Sequence, residues 1–216
     1  MKDHNDQWIG TDLDYTKALL DKVGCKFNIL NTPWARGIEM LKLGKVDMML
    51  NVTKSAQRAP FFYFVGPHRI ETIRLITKKR KLPMISTWQQ FESLDTVLMR
   101  QRGSIFGDRF DLALKRNFIL KSKLVDLANN EVRVDLIHKG RATGFFADSA
   151  YLNYHLKNTP EYAILEMHPL IIHSDPVYFA FSKASMDKAL MTKIYAAFDE
   201  LAGTGKLEQI ERTYSH

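Results

Sequence analysis

Two stretches of this chain are built alike. Gly44-Lys45-Val46-Asp47-Met48-Met49-Leu50-Asn51 and Gly140-Arg141-Ala142-Thr143-Gly144-Phe145-Phe146-Ala147-Asp148 each follow an amphipathic helical pattern, turn at a glycine, run as a short apolar segment and finish on a polar side chain. Apolar runs this short, bounded by glycine and polar residues, read as buried strands of an α/β sheet rather than as helices. Made twice, such a unit predicts two α/β lobes facing one another across a cleft, with ligand-type side chains at a strand's carboxyl end in each.

The residues after the first strand carry the chemistry. Asn51-Val52-Thr53-Lys54-Ser55-Ala56-Gln57-Arg58 gathers short polar groups and one arginine. Arg58 is the expected anchor, because a guanidinium is always charged and can make two parallel hydrogen bonds to a carboxylate, with Asn51, Thr53 and Ser55 adding shorter orienting contacts. Asp148 supplies the opposite charge at the end of the second strand. Such a pair matches a zwitterion, its carboxylate at Arg58 and its ammonium at Asp148. Gly103-Ser104 is expected to open a helix running to about Arg116, and free backbone N–H groups at a helix start attract anions.

In chain order, residues 12–23 predict an amphipathic helix stopped by Gly24, Phe27 and Ile29 a short strand, and Thr32-Pro33 the cap and first position of a helix reaching Gly44. Residues 46–50 are the strand already described, and helix and strand alternating in this way imply a parallel sheet with helical crossovers. The aromatic run Phe61-Phe62-Tyr63-Phe64 reads chiefly as core. After the β-rich segment Ile70–Thr77 and the break at Lys78-Lys79-Arg80-Lys81 and Pro83, the rhythm restarts. Ser86 is expected to cap a short helix, followed by strands near 96–99, 124–127 and 143–147 with a helix over 130–139 between the last two. A helix to about Lys157, β segments at 163–166 and 177–181, and helices over 185–201 and 206–214 complete the reading.

Composition sets several function classes aside. A charge of +7 and a pI near 9.4 suit anionic partners, yet the basic residues are spread out apart from Lys78–Lys81 and no nucleic-acid motif accompanies them. No apolar stretch approaches the ~20 residues that cross a bilayer. The single Cys25 excludes an internal disulfide. His168 and His173 flank Pro169, which breaks a regular helix, so they read as structural rather than as metal ligands.

Taken in order, Gly10-Thr11-Asp12-Leu13-Asp14, Leu43-Gly44-Lys45-Val46-Asp47, Thr53 to Arg58, Gly103-Ser104, Gly140-Arg141 through Asp148, and Gly205-Lys206-Leu207-Glu208-Gln209-Ile210 resemble the family 3 bacterial extracellular solute-binding proteins, the polar amino-acid binding proteins of ABC importers. The resemblance covers nearly the whole chain. It implies a two-lobed type II periplasmic binding fold, each lobe a mostly parallel sheet flanked by helices, joined by a two-strand hinge. Lobe 1 would comprise 1–78 plus 175–216 and lobe 2 would comprise 79–174. In the family, the arginine matching Arg58 binds the ligand α-carboxylate, helped by the positions of Asn51 and Thr53 and by the backbone at Ser104, while the aspartate matching Asp148 takes the α-amino group. Pro33-Trp34-Ala35-Arg36 resembles one branch of the family, in which Trp34 would reach the ligand from lobe 1.

The chain departs from the family at Gly103-Ser104-Ile105, where Gly-Thr-Thr is usual, and at Val65-Gly66-Pro67-His68, where Ser-x-Pro-Tyr is usual. It also has only nine residues before Gly10, so the family's first strand is missing and is expected upstream together with a signal peptide. The implied protein is periplasmic and non-catalytic, uses no cofactor or metal, binds a small zwitterionic solute and serves an ABC permease. It is expected to be a monomer, or a swapped or paired dimer if the first strand is truly absent. The alternatives are the sensor domain of a signalling receptor and a cyclohexadienyl dehydratase-like enzyme, whose general acid or base would have to be Glu71 or Glu39.

Overall fold

The computed structural model describes residues 7–214. The chain divides into two compact units: residues up to Thr32, Arg36–Ile70 and from Pro176 onward form unit 1, while Pro33–Ala35 and Glu71–Asp175 form unit 2. Apart from the short excursion at Pro33–Ala35, the chain passes between them twice, within strands β2 (Phe62–Lys78) and β6 (Leu165–Ser182). The passage within β2 lies between Ile70 and Glu71. The two β segments expected before and after Pro176 are one continuous strand. Among the described residues, six strands are ordered β1-β6-β2-β5-β3-β4.

Unit 1 holds helix α1 (Thr11–Lys22), most of α2 (Trp34–Lys42), strand β1 (Met48–Thr53), and helices α8 (Lys188–Gly203) and α9 (Lys206–Tyr214). Tyr15 and Leu19, one helical turn apart, present one face of α1 to a core that includes Phe179 and Phe181 of β6, Ile194 of α8 and Leu207 of α9. β1 pairs antiparallel with β6 rather than parallel to a neighbour, because β6 is a returning strand, and its register slips between Met49 and Val52. Residues 25–33 are irregular. The expected strand at Phe27 and Ile29 does not form; Phe27 packs against the core while Ile29 and Leu30 are exposed. Alternation alone does not supply the partner that a strand needs.

Unit 2 holds α3 (Trp88–Glu92), β3 (Leu98–Gln101), α4 (Gly107–Arg116), α5 (Phe118–Lys123), β4 (Leu124–Leu127), α6 (Arg133–His138), β5 (Gly144–Asp148), α7 (Ser149–Asn158) and a 3-10 turn (Pro160–Ile164). β3 runs parallel to β4 and β5, and β5 pairs antiparallel with β2. The period of two is plain. Leu75 lies opposite Phe146 and both join the core cluster of Phe91, Leu98 and Phe110, whereas Ile76 lies opposite Phe145 and both join that of Met99, Ile137 and Leu152. Helices therefore cover both faces, as near-continuous apolar strands require.

Two helix starts differ from expectation. The cap of α3 is Thr87, not Ser86: its hydroxyl accepts from the Gln90 N–H at 3.3 Å, and the Gln90 side chain returns to the Thr87 N–H at 3.0 Å. This is a capping box. Thr87→Ala is expected to cost about 1 kcal/mol in urea unfolding, whereas Ser86→Ala should stay within about 0.5 kcal/mol; equal effects would refute the assignment. α4 begins at Gly107 rather than Gly103, because Phe106 is buried among the rings of Phe110 and Phe146 ahead of the helix.

Candidate functional site

On unit 1, the sequence-predicted groups sit at and beyond the carboxyl end of β1. Asn51 has φ 57°, a left-handed backbone that asparagine tolerates, at the register slip between Met49 and Val52. Its side chain is held from three sides: Nδ2 donates to Asp12 Oδ2 at 2.9 Å, and Oδ1 lies 3.1 Å from His68 Nε2 and accepts from Arg69 Nε at 3.2 Å. The strand itself extends through Thr53, so Asn51 and Thr53 are strand residues rather than a trailing loop.

Arg58 lies in the turn that follows. Its own N–H and that of Ala59 both donate to the Ser55 carbonyl, and its carbonyl accepts from Phe61 and Phe62. The side chain is buried, at 8% exposure, and its guanidinium donates to the Thr53 carbonyl at 3.1 Å. Burial lowers the pKa of this guanidinium. Asn51, Thr53, Ser55 and Arg58 are thus brought onto one strand end and its turn. Among the described residues the Ser55 hydroxyl is buried without a hydrogen-bond partner, a condition that usually marks a place for water or ligand.

On unit 2, Gly103 has φ 82° and the Ser104 N–H donates to the Gln101 carbonyl at 3.1 Å. The Ser104 amide therefore closes a turn three residues before α4, and does not present the open helix start expected of it. A Cβ at Gly103 would lie 3.3 Å from Ala35 Cβ and 3.6 Å from Trp34 Cδ1, so glycine is what lets this turn approach Trp34. The Trp34 Nε1 is buried without a partner among the described residues. Asp148 ends β5 and caps α7, its Oδ1 accepting from the Ala150 N–H at 3.2 Å. The carboxylate thus lies at a helix N-terminus, where negative charge is favoured.

The sequence reading did not single out Asp12, Arg69 or Arg133. The first two meet at Asn51, and a signal existed in the departure at Val65-Gly66-Pro67-His68, directly before Arg69. Arg133 is buried at 6% exposure, donates to the Asn130 and Phe146 carbonyls at 2.9 and 3.4 Å, and lies over the rings of Phe145 and Tyr151. Its place inside an ordinary helical pattern concealed it. His168 is structural, as expected: buried in unit 2, it lies 2.8 Å from Thr77 Oγ1 and accepts from the Ile85 N–H at 2.9 Å. No trio of His, Cys, Asp or Glu among the described residues could hold a metal ion, and no described helix is long and apolar enough to cross a membrane.

A comparison with curated proteins finds no significant match. Among solved structures, the fold is similar to an ancestral arginine-binding protein bound to glutamine, at 21% identity and TM-score 0.83, covering 100% of this chain and 92% of that one. It is also similar to AbpA, an amino acid ABC transporter substrate-binding protein from Streptococcus pneumoniae bound to L-arginine, at 22% identity and TM-score 0.80, covering 99% and 87%. A histidine kinase sensor domain described as similar to periplasmic binding proteins matches at 18% identity and TM-score 0.80, covering 98% and 88%. The profile of one family matches residues 1–216 from end to end, and by that match the chain belongs to the bacterial extracellular solute-binding proteins, family 3.

Proposed function

We propose that this protein is a periplasmic, non-catalytic solute-binding protein that captures a small zwitterionic solute, an amino acid or a related carboxylate, in a cleft between its two lobes by hinge closure, for an ABC importer. The observation that carries this reading is the strand end of unit 1, where a buried arginine and an unpartnered buried hydroxyl follow Asn51 within one tight turn. In this reading Arg58 takes the solute carboxylate with Thr53, and Asn51 fixes the wall from its three anchors. Asp148 takes the ammonium, Ser104 lines the unit 2 side together with Trp34, which was expected from lobe 1 but is grouped with unit 2, and the permease reads the closed form. The arginine- and glutamine-bound relatives support an amino acid as the solute class. The sensor-domain relative supports a second reading, in which the same capture feeds a signalling receptor.

The test is a thermal-shift screen against amino acids, small peptides and organic acids. Solute at ~100 times its Kd contributes about 2.7 kcal/mol, and so should raise Tm by roughly 5 to 10 °C in a chain of this size. Arg58→Ala and Asp148→Asn, each confirmed folded by circular dichroism, are expected to weaken binding at least ~30-fold, as for other paired buried charges. A hit among acids without an amine that survives Asp148→Asn would remove Asp148 from the site. No hit at all from a folded sample would defeat the proposal.

A further inference from the structure

One end of the unit 2 sheet is positively charged and apolar at once. Leu98 of β3 lies opposite both Leu124 and Gly144, and Gly144 lies opposite Thr77, so the residues just outside those positions gather at one end of the sheet. They are Lys78–Lys81 after β2, the close of α4 with all of α5 before β4, and Arg141 before β5. Four strands at ~4.8 Å spacing make this end about 15 Å across. Lys78, Lys79, Lys81, Lys115, Lys121 and Arg141 are exposed there and have no ion pair among the described residues.

The carboxylates at this end are mostly matched. Asp95 pairs with Lys123, Asp135 with Lys139, and Glu92 with Arg109 and Arg116, which leaves Glu161 and Glu166, the latter accepting from the Arg80 backbone N–H, against the six free cations. Amid them the α5 helix shows Phe118 at 76% exposure and Ile119 at 53%, among the most exposed large apolar side chains in the protein. Two neighbouring exposed apolar side chains thus stand among lysines. A second copy is a poor occupant, since two such faces repel.

We propose that this end of unit 2 is a docking surface for an anionic lipid bilayer. The lysines and Arg141 would face acidic headgroups while Phe118 and Ile119 enter the boundary between headgroup and acyl chain. The surface does not depend on the solute reading, because none of its residues belongs to the candidate site. The experiment is cosedimentation of the full chain with vesicles of phosphatidylcholine alone, or of equal parts phosphatidylcholine and phosphatidylglycerol, over a range of salt.

Binding to the mixed vesicles alone is expected, falling as salt rises. Lys115→Gln with Lys121→Gln should weaken it about 30-fold, at roughly fivefold per lysine. Phe118→Ser should weaken it at every salt concentration. Because all three side chains are exposed, these variants should fold, and circular dichroism checks that they do. No sedimentation with mixed vesicles at low salt, equal sedimentation with both vesicle types, or variants that bind unchanged would overturn the proposal. So would a dimer at sedimentation equilibrium that is lost in Phe118→Ser, which would give the face to a second copy.

Discussion

Gly144→Ala is expected to destabilise the protein by about 3 kcal/mol or more and to lower Tm by roughly 6 to 12 °C. Gly144 opens β5, which lies between β2 and β3 in the sheet. A Cβ there would lie 2.3 Å from the Ile76 carbonyl oxygen and 2.7 Å from Thr77 Cγ2. The first of these is backbone of the neighbouring strand, so relief requires the ladder to open rather than a side chain to turn. Nothing is gained in return, because both faces of the sheet are already filled by Phe145, Phe146 and their neighbours. Gly203, at the end of α8, is the control: a Cβ there meets nothing within 4 Å, and alanine is the better helix former, so Gly203→Ala should be neutral or stabilising by up to about 1 kcal/mol. Equal midpoints for the two variants in urea unfolding would show that the contact with Ile76 is relieved elsewhere.

Acid should weaken unit 1 through a single ring. His68 is buried at 6% exposure beside Phe179 and Tyr15, and its Nε2 faces Asn51 Oδ1. That oxygen can only accept, which places the proton of the neutral ring on Nε2. The Nδ1 has no partner among the described residues. Burial first, and then the Arg69 charge, lower the pKa from the usual 6.5 to about 3. Below pH 6.5 the unfolded chain takes up a proton that the folded chain refuses, so stability is fully present above that pH and is lost as pH falls toward 3. The expected slope is about 1.4 kcal/mol per pH unit, or roughly 2 kcal/mol between pH 6 and 4.5. His155 and His168 are lowered too, again first by burial, and steepen the same limb. The comparison is therefore with His68→Gln, whose unfolding free energy should fall less steeply by about that 1.4 kcal/mol per unit. Parallel curves for the two proteins down to pH 4.5 would remove His68 as the cause.

Much of this architecture was readable because it rests on periodicity. The glycine-to-strand units at Gly44 and Gly140 announced β1 and β5; Asp148 does end its strand, whereas β1 continues past Asn51 to Thr53. Geometry that depends on a partner strand was not readable. The register slip that puts Asn51 into a left-handed backbone, and the absence of a strand at Phe27, are both decided by pairing rather than by local pattern. β6 looked like two segments because Pro169 and Pro176 interrupt it, and proline ordinarily breaks a ladder.

Some signals were present and passed over. Thr87 stands three residues before Gln90, the spacing of a capping box, whereas Ser86 does not. Gly103-Ser104 imitated a helix start, but burying the Phe106 ring delays α4 to Gly107. α5 gave no warning at all, since its exposed Phe118 and Ile119 contradict the rule that apolar residues face inward.

The ring of His168 joins three stretches of chain: it belongs to β6, its Nε2 faces Thr77 of β2, and its Nδ1 accepts the Ile85 amide proton. An amide proton is rarely held by an imidazole, and here the holder can itself be protonated. A proton arriving at that nitrogen must displace the one lent by Ile85, so the two compete for a single lone pair. Charging the ring therefore removes the acceptor of the Ile85 amide, and the expected sign of it is a loss of Ile85 protection from deuterium exchange in acid, beyond that of neighbouring amides.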